Sequence, residues 1–332
     1  MSIKVGTAPA AWGVNFSSDS KQTPWTRYLD EVTEAGYKWT ELGPYGYLPT
    51  NLKTLKTELN QRQLKLSSGF IMRELENPDI WPEIKQEVLN AGELIAALGA
   101  KFLVLIDGQY TDQITGEAIT SDTLNSDTWK IMIDTTHSIA RLAKKNFGLR
   151  TLFHPHTETH VQYEPQIKLF LKDTDPDLVG LCFDIGHHSY LEGNVLSFLQ
   201  NHRERIEYLH LKSVHPQKLK KVRKQNASFS SATIQGVFCE PSYGTVDFLA
   251  LLNLLKEIHY SGFGIVEHDM YPAPFDKPLP IAKRTRAYLK KIGMGSPKNN
   301  SNLSSNPEQP DRLSSLNRSF FYGLIATLGS LY

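Results

Sequence analysis

Short apolar runs alternate with longer amphipathic stretches along most of the chain. Each run is rich in the β-branched and aromatic residues of strands, whereas the stretches repeat apolar positions every three or four residues, as helices do. The predicted strands are IKVGTA, YKWTELG, LKLSSGFI, KFLVLID, LRTLFHPH, VGLCFDI, IEYLHLKS and GFGIVEHD. The predicted helices include TPWTRYLDEVTEAG, EIKQEVLNAGELIAALGA, DTWKIMIDTTHSIARLAKKN, YEPQIKLFLKDT and DFLALLNLLKEIHY. Two helices end at a glycine suited to a left-handed cap, Gly36 and Gly99.

This alternation is typical of βα units around a parallel sheet. Eight strands in this rhythm favour a closed barrel over an open sheet, so we predict an α/β fold, a (β/α)8 TIM barrel, over residues 1–294. Residues 295–332 form a C-terminal extension. Its first part, SPKNNSNLSSNPEQP, has the composition of a flexible linker, and its second part, LNRSFFYGLIATLGSLY, is apolar but too short to span a bilayer. The partner of that apolar segment stays open among the barrel, a second subunit and a membrane surface.

Composition narrows the class of protein. A formal net charge of +1 and a pI of about 7.8 give no electrostatic reason to expect a nucleic-acid partner. Two cysteines, Cys182 and Cys239, are too few for a disulfide framework and indicate a reducing compartment. No run reaches the roughly 18 apolar residues of a membrane span, and the N-terminus enters the first strand without a signal-peptide pattern. We expect a soluble cytoplasmic protein, for which a homo-oligomer stays open.

One long basic connection interrupts the rhythm after the seventh predicted strand, between Ser213 and Gly236. A connection of this length in a compact domain is often a lid or a wall of the substrate site. Its basic residues can instead form the solvated face of a helix, which is the interpretation we favour for Lys218, Lys220, Lys221, Arg223 and Lys224.

Ligand-type side chains stand at the carboxyl ends of four successive predicted strands. The fifth strand offers His154, His156 and Glu158, which alternation places on one face if the strand continues that far. The next three strands offer Asp184 followed by His187 and His188, then His210 and Lys212, and then Glu267. Side chains at this end of a parallel barrel converge on one mouth, where active sites are built.

A single acid or histidine at a strand end is more often a cap or a hydrogen-bonded loop residue than a metal ligand. Four strand ends in succession point instead to a shared site. Burying Asp184 and Glu267 behind apolar strands costs much free energy unless a cation compensates. Mixed carboxylate and imidazole ligands suit one divalent metal, for which we favour Mn²⁺ or Co²⁺, with Zn²⁺, Fe²⁺ and Mg²⁺ as alternatives.

These residues carry a resemblance to a known family. The stretches HPHTETHVQ, DPDLVGLCFDIGH, IEYLHLKSV, GVFCEPSYGTVDF and GIVEHD resemble the xylose isomerase-like barrel superfamily of sugar isomerases, epimerases and dehydratases. Within it, the strings H-x-H, D-x-G-H and H-x-K-x-V are most similar to the inosose dehydratase branch. The resemblance covers roughly residues 3–293.

The resemblance implies that one metal is bound by His154, Asp184, His210 and Glu267. His154 departs from the pattern of most isomerases of the superfamily, which have a glutamate there. The inosose dehydratase branch resembles this chain in having a histidine at that position. His156 and Glu158 are the substitutes for it and also candidates for substrate binding.

The resemblance also implies roles for further polar residues. Glu41 resembles a substrate-facing acid, with a loop cap as the alternative. His187 resembles a histidine that contacts substrate, and Lys212 a lysine that binds a substrate oxygen or moves a proton, with a structural salt bridge as the alternative. Trp12, on the first predicted strand, is a candidate for an apolar contact with the sugar, although core packing is the plainer interpretation.

The expected chemistry is proton abstraction next to a ketone. Chelation of a ketone and its neighbouring hydroxyl by a divalent ion acidifies the α C–H and stabilises an enediolate. Loss of the β-hydroxyl is then a dehydration, whereas return of the proton is an epimerisation or isomerisation. A symmetrical two-base exchange is disfavoured, because His154 as a ligand has no lone pair left to act as a base. We therefore expect a lyase acting on a polyhydroxy ketone such as an inosose, with Lys212 or else His187 as the base and Glu267 as a further catalytic group.

Three alternatives remain. The first is a sugar isomerase or epimerase. The second is a DNA-repair endonuclease of the same superfamily, which needs a basic groove for phosphates that the neutral charge balance does not favour. The third is a barrel that binds a sugar or cyclitol without turning it over.

Overall fold

All the predicted strands are present, and they close into a barrel. The computed structural model of the protein describes residues 2–295. Over these residues the strands are β1 (Ser2–Thr7), β2 (Trp39–Thr40), β3 (Lys65–Leu66), β4 (Ser68–Arg73), β5 (Phe102–Asp107), β6 (Arg150–Phe153), β7 (Val179–Asp184), β8 (Ile206–Leu211), β9 (Ser213–Val214), β10 (Phe238–Cys239) and β11 (Ser261–Val266). The predicted third strand is divided into β3 and β4.

Nine of these strands form one parallel sheet in the order β3-β2-β1-β11-β8-β7-β6-β5-β4. Its two end strands, β3 and β4, are separated in the chain by Ser67 alone, so the sheet meets itself. The Ser67 amide donates to Thr40 O at 2.9 Å, and the Leu42 amide donates to Ser68 O at 3.0 Å. These two hydrogen bonds connect the segment around β2 to the start of β4. Since β3 and β4 together count as one strand of the barrel, the sheet is the eight-stranded barrel predicted from the sequence. The remaining pair, β9 and β10, is antiparallel and lies outside it.

Helices follow the strands around the barrel. They are α1 (Trp25–Glu34), α2 (Leu52–Gln61), α3 (Trp81–Ala97), α4 (Ser126–Phe147), α5 (Glu164–Asp173), α6 (Ile185–Tyr190), α7 (Val195–Asn201), α8 (Pro216–Lys224), α9 (Phe229–Ile234), α10 (Phe248–Glu257) and α11 (Pro278–Lys291). Gly36 and Gly99 have φ angles of 87° and 82°, which confirms the left-handed caps after α1 and α3. No helix among residues 2–295 combines the length and the apolar character of a membrane span.

Apolar side chains of the barrel form two layers, and a further small cluster packs around α8 and α9. The larger layer lies between the sheet and the helices and includes residues such as Val88, Ile139 and Leu251. The smaller one fills the barrel interior and includes Val104, Ile106, Leu152, Cys182, Tyr208 and Phe263. The last helix completes the outer layer, because Leu289 and the following Met294 are fully buried.

The long basic connection after β8 contributes both a solvated helix and a wall of the mouth. On α8 the five basic side chains are exposed while Leu219 and Val222 are buried, as expected for a solvated helix face. On α9, by contrast, Phe229, Thr233 and Ile234 line the cavity at the barrel mouth. The connection therefore matches both interpretations, each in a different helix.

A roof covers part of the mouth, made by residues 109–121 after β5 together with α9. The two segments touch, since a Cβ on Gly116 would lie only 2.0 Å from Ser228 Oγ. Glu158 joins them: one carboxylate oxygen accepts from the Thr111 hydroxyl, and the other accepts from the Phe229 amide at 2.6 Å. Glu158 also lines the cavity, so its predicted contact with substrate stays a prediction beside this structural role in the roof.

The C-terminal extension should be dispensable for folding, because the eight barrel strands and α11 all lie within residues 2–295. The predicted linker and apolar segment, residues 296–332, lie outside the described residues. We expect a chain ending at Gly295 to keep the circular dichroism and melting temperature of the full chain. A chain ending at Lys291 is the matched control: it loses the buried Met294 and should be less stable by about 2–5 kcal/mol. A Gly295 chain that fails to fold would show that the extension belongs to the core.

Removal of the Glu158 carboxylate should loosen the roof. A hydrogen bond to a charged acceptor is worth about 1.5–3 kcal/mol, so Glu158→Ala should speed amide exchange in residues 226–236 by roughly tenfold or more. Hydrogen–deuterium exchange by mass spectrometry measures this. Glu117→Ala, which removes an exposed carboxylate from the same roof loop, should leave the exchange unchanged. Equal exchange in the two variants would contradict the assignment.

Candidate active site

Polar side chains from five strands of the barrel meet at the carboxyl ends of those strands. They line or underlie a cavity of about 350 Å³, a size suited to one small molecule. The residues directly at or after the strand ends are Glu41, His154, Asp184, His210 and Glu267. Asp184 and His210 are register partners on β7 and β8, so their proximity follows from the parallel ladder.

Four of these residues form a compact cluster. Ligand atoms of His154, Asp184, His210 and Glu267 all lie within 4.8 Å of one another. His154 Nε2 is 3.8 Å from Asp184 Oδ2, and His210 Nδ1 is 3.7 Å from the same oxygen. Glu267 Oε2 lies 3.3 Å from His210 Nδ1. The four residues predicted as one ligand set are therefore brought together.

His154 lies just past the end of its strand, and not on the strand as predicted. β6 ends at Phe153, because Pro155 cannot continue the ladder, and the following residues are irregular. His154, His156 and Glu158 all line the cavity nonetheless. The strand does not continue that far, so alternation along a strand is not what places them there.

Both cluster imidazoles are held through one nitrogen with the other facing the carboxylates. His154 Nδ1 donates to Pro155 O at 2.8 Å, which leaves Nε2 as its lone-pair nitrogen. His210 Nε2 donates to Glu41 Oε1 at 3.1 Å, and Tyr208 donates to the same oxygen at 2.8 Å. Metal-binding histidines have this arrangement, in which the second nitrogen fixes the ring. Glu41 lines the cavity, as expected of a substrate-facing acid, and it also orients His210.

The cluster fits a divalent metal. Asp184 Oδ2 and His210 Nδ1 are buried and make no regular hydrogen bond, which is uncommon in protein interiors; Lys212 Nζ lies 3.1 Å from the first atom and Glu267 Oε2 lies 3.3 Å from the second. Both point to the centre of the cluster, where a cation would satisfy them. Two imidazoles and two carboxylates form a ligand set for a first-row divalent ion. Burial, together with the neighbouring His210, lowers the pKa of His154 to about 3, so this ring is neutral. Burial alone would lower the pKa of His210 as well, but Cys182, Glu267 and Glu41 raise it well above its ordinary value. A metal would therefore have to displace a proton from the His210 ring.

Lys212 lies beneath the cluster among three carboxylates. Its Nζ is 3.1 Å from Asp184 Oδ2, 2.9 Å from Glu267 Oε2 and 2.8 Å from Asp269 Oδ2. Burial alone would lower the pKa of Lys212, but these carboxylates raise it well above its ordinary value. As an ammonium it donates hydrogen bonds to these carboxylates, an arrangement that favours proton donation over the predicted role of Lys212 as a base. Gly186 makes room for it, since a Cβ there would lie 2.4 Å from Lys212 Cβ.

His187 supports Lys212 from behind. Its Nε2 accepts from Lys212 at 3.1 Å. Its Nδ1 lies 2.9 Å from Thr157 Oγ1 and 3.4 Å from the amide nitrogen of Thr157. Burial, with His156 and Lys212 adding, lowers the pKa of His187 well below its ordinary value. His187 lies behind the residues that line the cavity, a position that does not favour the predicted direct contact with substrate.

His156 is the neutral imidazole that faces the cavity. Its Nδ1 donates to Thr157 O at 2.7 Å, which leaves the lone pair on Nε2. Burial, with the charge of Lys212, lowers the pKa of His156 to about 4. The residue was predicted to bind substrate, and its position is consistent with that.

Asp269 is a site residue that sequence reasoning missed. It lines the cavity and accepts from Lys212 at 2.8 Å. Burial raises the pKa of Asp269 to about 6. The available signal was its position two residues after Glu267 in GIVEHD, which places both on one side of an extended chain.

Trp12 was wrongly predicted as a substrate contact. It belongs to a short 3₁₀ helix, Pro9–Trp12, because β1 already ends at Thr7. Its side chain is fully buried, its Nε1 donates to Glu31 Oε2 at 2.8 Å, and its ring packs edge-on against Tyr28. Trp12 is a core residue, the plainer of the two interpretations.

A second group of ligand-type residues, Glu76, Asp107 and His160, lies beside the roof. Asp107 accepts from His160 Nδ1 at 2.8 Å, and His160 Nε2 donates to Ser121 O at 3.0 Å. Burial alone would lower the pKa of His160, but the hydrogen bond with Asp107 raises it above its ordinary value. Both ring nitrogens are occupied as donors, so this group anchors the end of the roof loop at Ser121.

Comparisons with known proteins agree with the barrel. The sequence profile of a family described as xylose isomerase-like TIM barrel matches residues 29–292. An inosose dehydratase from Clostridium beijerinckii is 30% identical over 294 residues, which cover 87% of this chain and 96% of that protein.

Two solved structures share the architecture. A probable 3-DHS dehydratase, AsbF from Bacillus anthracis, superposes with a TM-score of 0.65 at 12% identity and covers 87% of this chain and 99% of its own. The IOLI protein with a bound zinc atom superposes with a TM-score of 0.61 at 20% identity and covers 87% of this chain and 98% of its own. Identities this low show a shared fold alone.

The family profile covers most of the chain, and the relative is a named enzyme matched over nearly its whole length. The protein is therefore an enzyme, and the chain belongs to the xylose isomerase-like TIM barrel family.

Proposed function

We propose that the protein is a divalent-metal-dependent lyase that dehydrates a cyclic polyhydroxy ketone such as an inosose. The observation that carries the proposal is the four-residue cluster at the mouth, in which His154 takes the place of a second glutamate. The similarity to inosose dehydratases supports the same reaction class.

The proposed ligands are His154, Asp184, His210 and Glu267. When bound, a divalent ion would act as a Lewis acid on the oxygens of a hydroxyketone. Asp184 and Glu267 both contact Lys212, and a divalent ion would help to balance their negative charge. Glu41 keeps Nδ1 of His210 turned toward the cluster.

The proposed base is His156. It lines the cavity, it is held by Thr157 O through Nδ1, and its Nε2 has a lone pair for the α-proton. His187 cannot serve in this way, because its Nε2 already accepts from Lys212 and it does not reach the cavity. This assignment replaces the two bases expected from the sequence.

The proposed acid is the pair of Asp269 and Lys212. Asp269 lines the cavity and shares a hydrogen bond with the Lys212 ammonium, so a proton can pass through its carboxyl to a departing hydroxyl. The balance is that of an elimination: one C–H and one C–O bond break, one C=C bond forms and water leaves. Glu267 contacts Lys212 and the cluster, so we assign it to the metal and not to proton transfer.

His154 argues against the isomerase or epimerase alternative. A two-base exchange needs a proton acceptor on each side of the substrate. His154 donates from Nδ1 to Pro155 O and would use Nε2 for the metal, so neither nitrogen is free. A one-base elimination has no such requirement.

The metal assignment is tested by removing one ligand. Glu267→Gln should weaken metal retention by at least roughly 100-fold, beyond the range typical of residues that only support ligands. Its far-ultraviolet circular dichroism should be unchanged, because the side chain faces the mouth and not the core. Elemental analysis after gel filtration in Mn²⁺, Co²⁺ or Zn²⁺ measures retention. The matched control is Glu117→Gln on the exposed roof loop, which should retain metal as the unaltered protein does.

The reaction is tested with an inosose and Mn²⁺ or Co²⁺. A dehydratase should produce a conjugated enone or diketone, followed by its ultraviolet absorption, and His154→Glu should abolish that product. A preparation that interconverts ketohexoses, eliminates no water from an inosose and tolerates His154→Glu would instead be an isomerase.

A further inference from the structure

The mouth cavity has two chemically unlike halves. The half formed by β6, β7, β8 and β11 carries the four-residue cluster. The residues of β4 and β5 that line the cavity are all apolar: Phe70 and Met72 on β4, Val104 and Ile106 on β5. The alternation of the two strands sets this pattern, since these residues are each two apart. We call these four residues the apolar wall.

The four side chains of the apolar wall carry no N–H or O–H group, whereas the amides of Gln109 and Gln113 line the cavity beside them. The backbone of β4 and β5 is paired from Ser68 and Phe102 through to Arg73 and Asp107. Of the amides above it, Gln113 Nε2 points back at Met72 Sδ at 3.8 Å and Gln109 Nε2 at Thr157 O at 3.4 Å.

The roof extends the apolar surface over the cavity. Phe229 and Ile234 of α9 and Ile114 of the other roof segment all line it, together with the hydroxyl residues Ser230 and Thr233. The side chains of Ile114 and Ile234 are 64% and 62% exposed, whereas isoleucine is usually buried in folded proteins. Apolar surface therefore runs from the wall into the roof and would cover one side of a bound molecule.

A hydroxyl pressed against this wall would lose its water and gain no partner. Mismatches of this kind in apolar pockets reduce kcat/KM by roughly 10- to 100-fold. A ring bound through a ketone at C1 and a hydroxyl at C2 would turn C4 and C5 to the side opposite the cluster.

We propose that the preferred substrate is a cyclic hydroxyketone that carries hydrogens, as methylene or alkene carbons, at the two positions facing the apolar wall. The inference rests on the proposed function, because the cluster fixes which edge of the ring faces the metal side. It narrows the substrate class from fully hydroxylated rings to rings with one deoxygenated edge.

The test compares two ketones with the metal-loaded, full-length protein. We expect kcat/KM for the 4,5-dideoxy derivative of an inosose to exceed that for the inosose itself by at least roughly tenfold. A second readout needs no turnover: calorimetry with two unreactive ligands, trans-cyclohexane-1,2-diol and myo-inositol, should show tighter binding of the diol.

Variants of the apolar wall test whether these residues cause the preference for the deoxygenated ring. Val104→Thr keeps the shape and adds a hydroxyl, so it should shift the kcat/KM ratio toward the inosose by roughly tenfold. Val104→Ala is the matched control: it changes the volume without adding a polar group and should leave the ratio in favour of the deoxygenated ring. Met72→Gln, at a less buried position of the same wall, provides a second polar variant in case Val104→Thr lowers the melting temperature.

The outcomes separate this inference from the proposed function. An inosose dehydrated as fast as, or faster than, its deoxygenated derivative would overturn the inference and leave the dehydratase intact. If neither ketone loses water, the proposed function fails, and calorimetry alone decides the wall: tighter binding of the diol supports it, and equal or weaker binding overturns it.

Discussion

Buried charge at the barrel mouth is the constraint on which the rest of the site depends. Closure of the sheet brings the ends of β7, β8 and β11 together, and with them Asp184, Glu267 and Asp269 around one ammonium. Carboxylates in such a place are stable only with cationic or hydrogen-bonding partners. Lys212 supplies one such charge, and the arrangement of the remaining ligand atoms suits a metal. The histidines then follow, because each must present one nitrogen to this centre and anchor the other.

The supporting hydrogen bonds explain why so many polar residues are buried. Pro155 O, Thr157 O and Glu41 each fix one imidazole in a single tautomer. Such second partners maintain geometry that the ligands alone would not hold. The roof has a similar support in Glu158, which connects two segments far apart in the chain. A polar centre is thus enclosed by apolar surface, which strengthens electrostatic interactions inside it.

Much of this could be predicted from the sequence, because strand periodicity and the ends of strands are local signals. The barrel and the set of Asp184, His210 and Glu267 follow from apolar runs that each end in a ligand-type residue. The failures have physical causes that need three dimensions. Trp12 lies past the end of its strand and turns into the core, and the charge state of Lys212 depends on carboxylates from two other strands. The roles assigned to the site residues remain proposals.

The close contact between Gly186 and Lys212 has a consequence for the evolution of the two sequence strings in which they lie. A side chain at residue 186 would occupy the volume of the first carbons of the lysine. Glycine in D-x-G-H is therefore a steric requirement of the lysine in H-x-K, and not only a feature of the turn into α6. The two strings must vary together: a homologue that gains a side chain at the first position can keep its fold only by accepting a smaller residue at the second, and with it a different charge beneath the mouth.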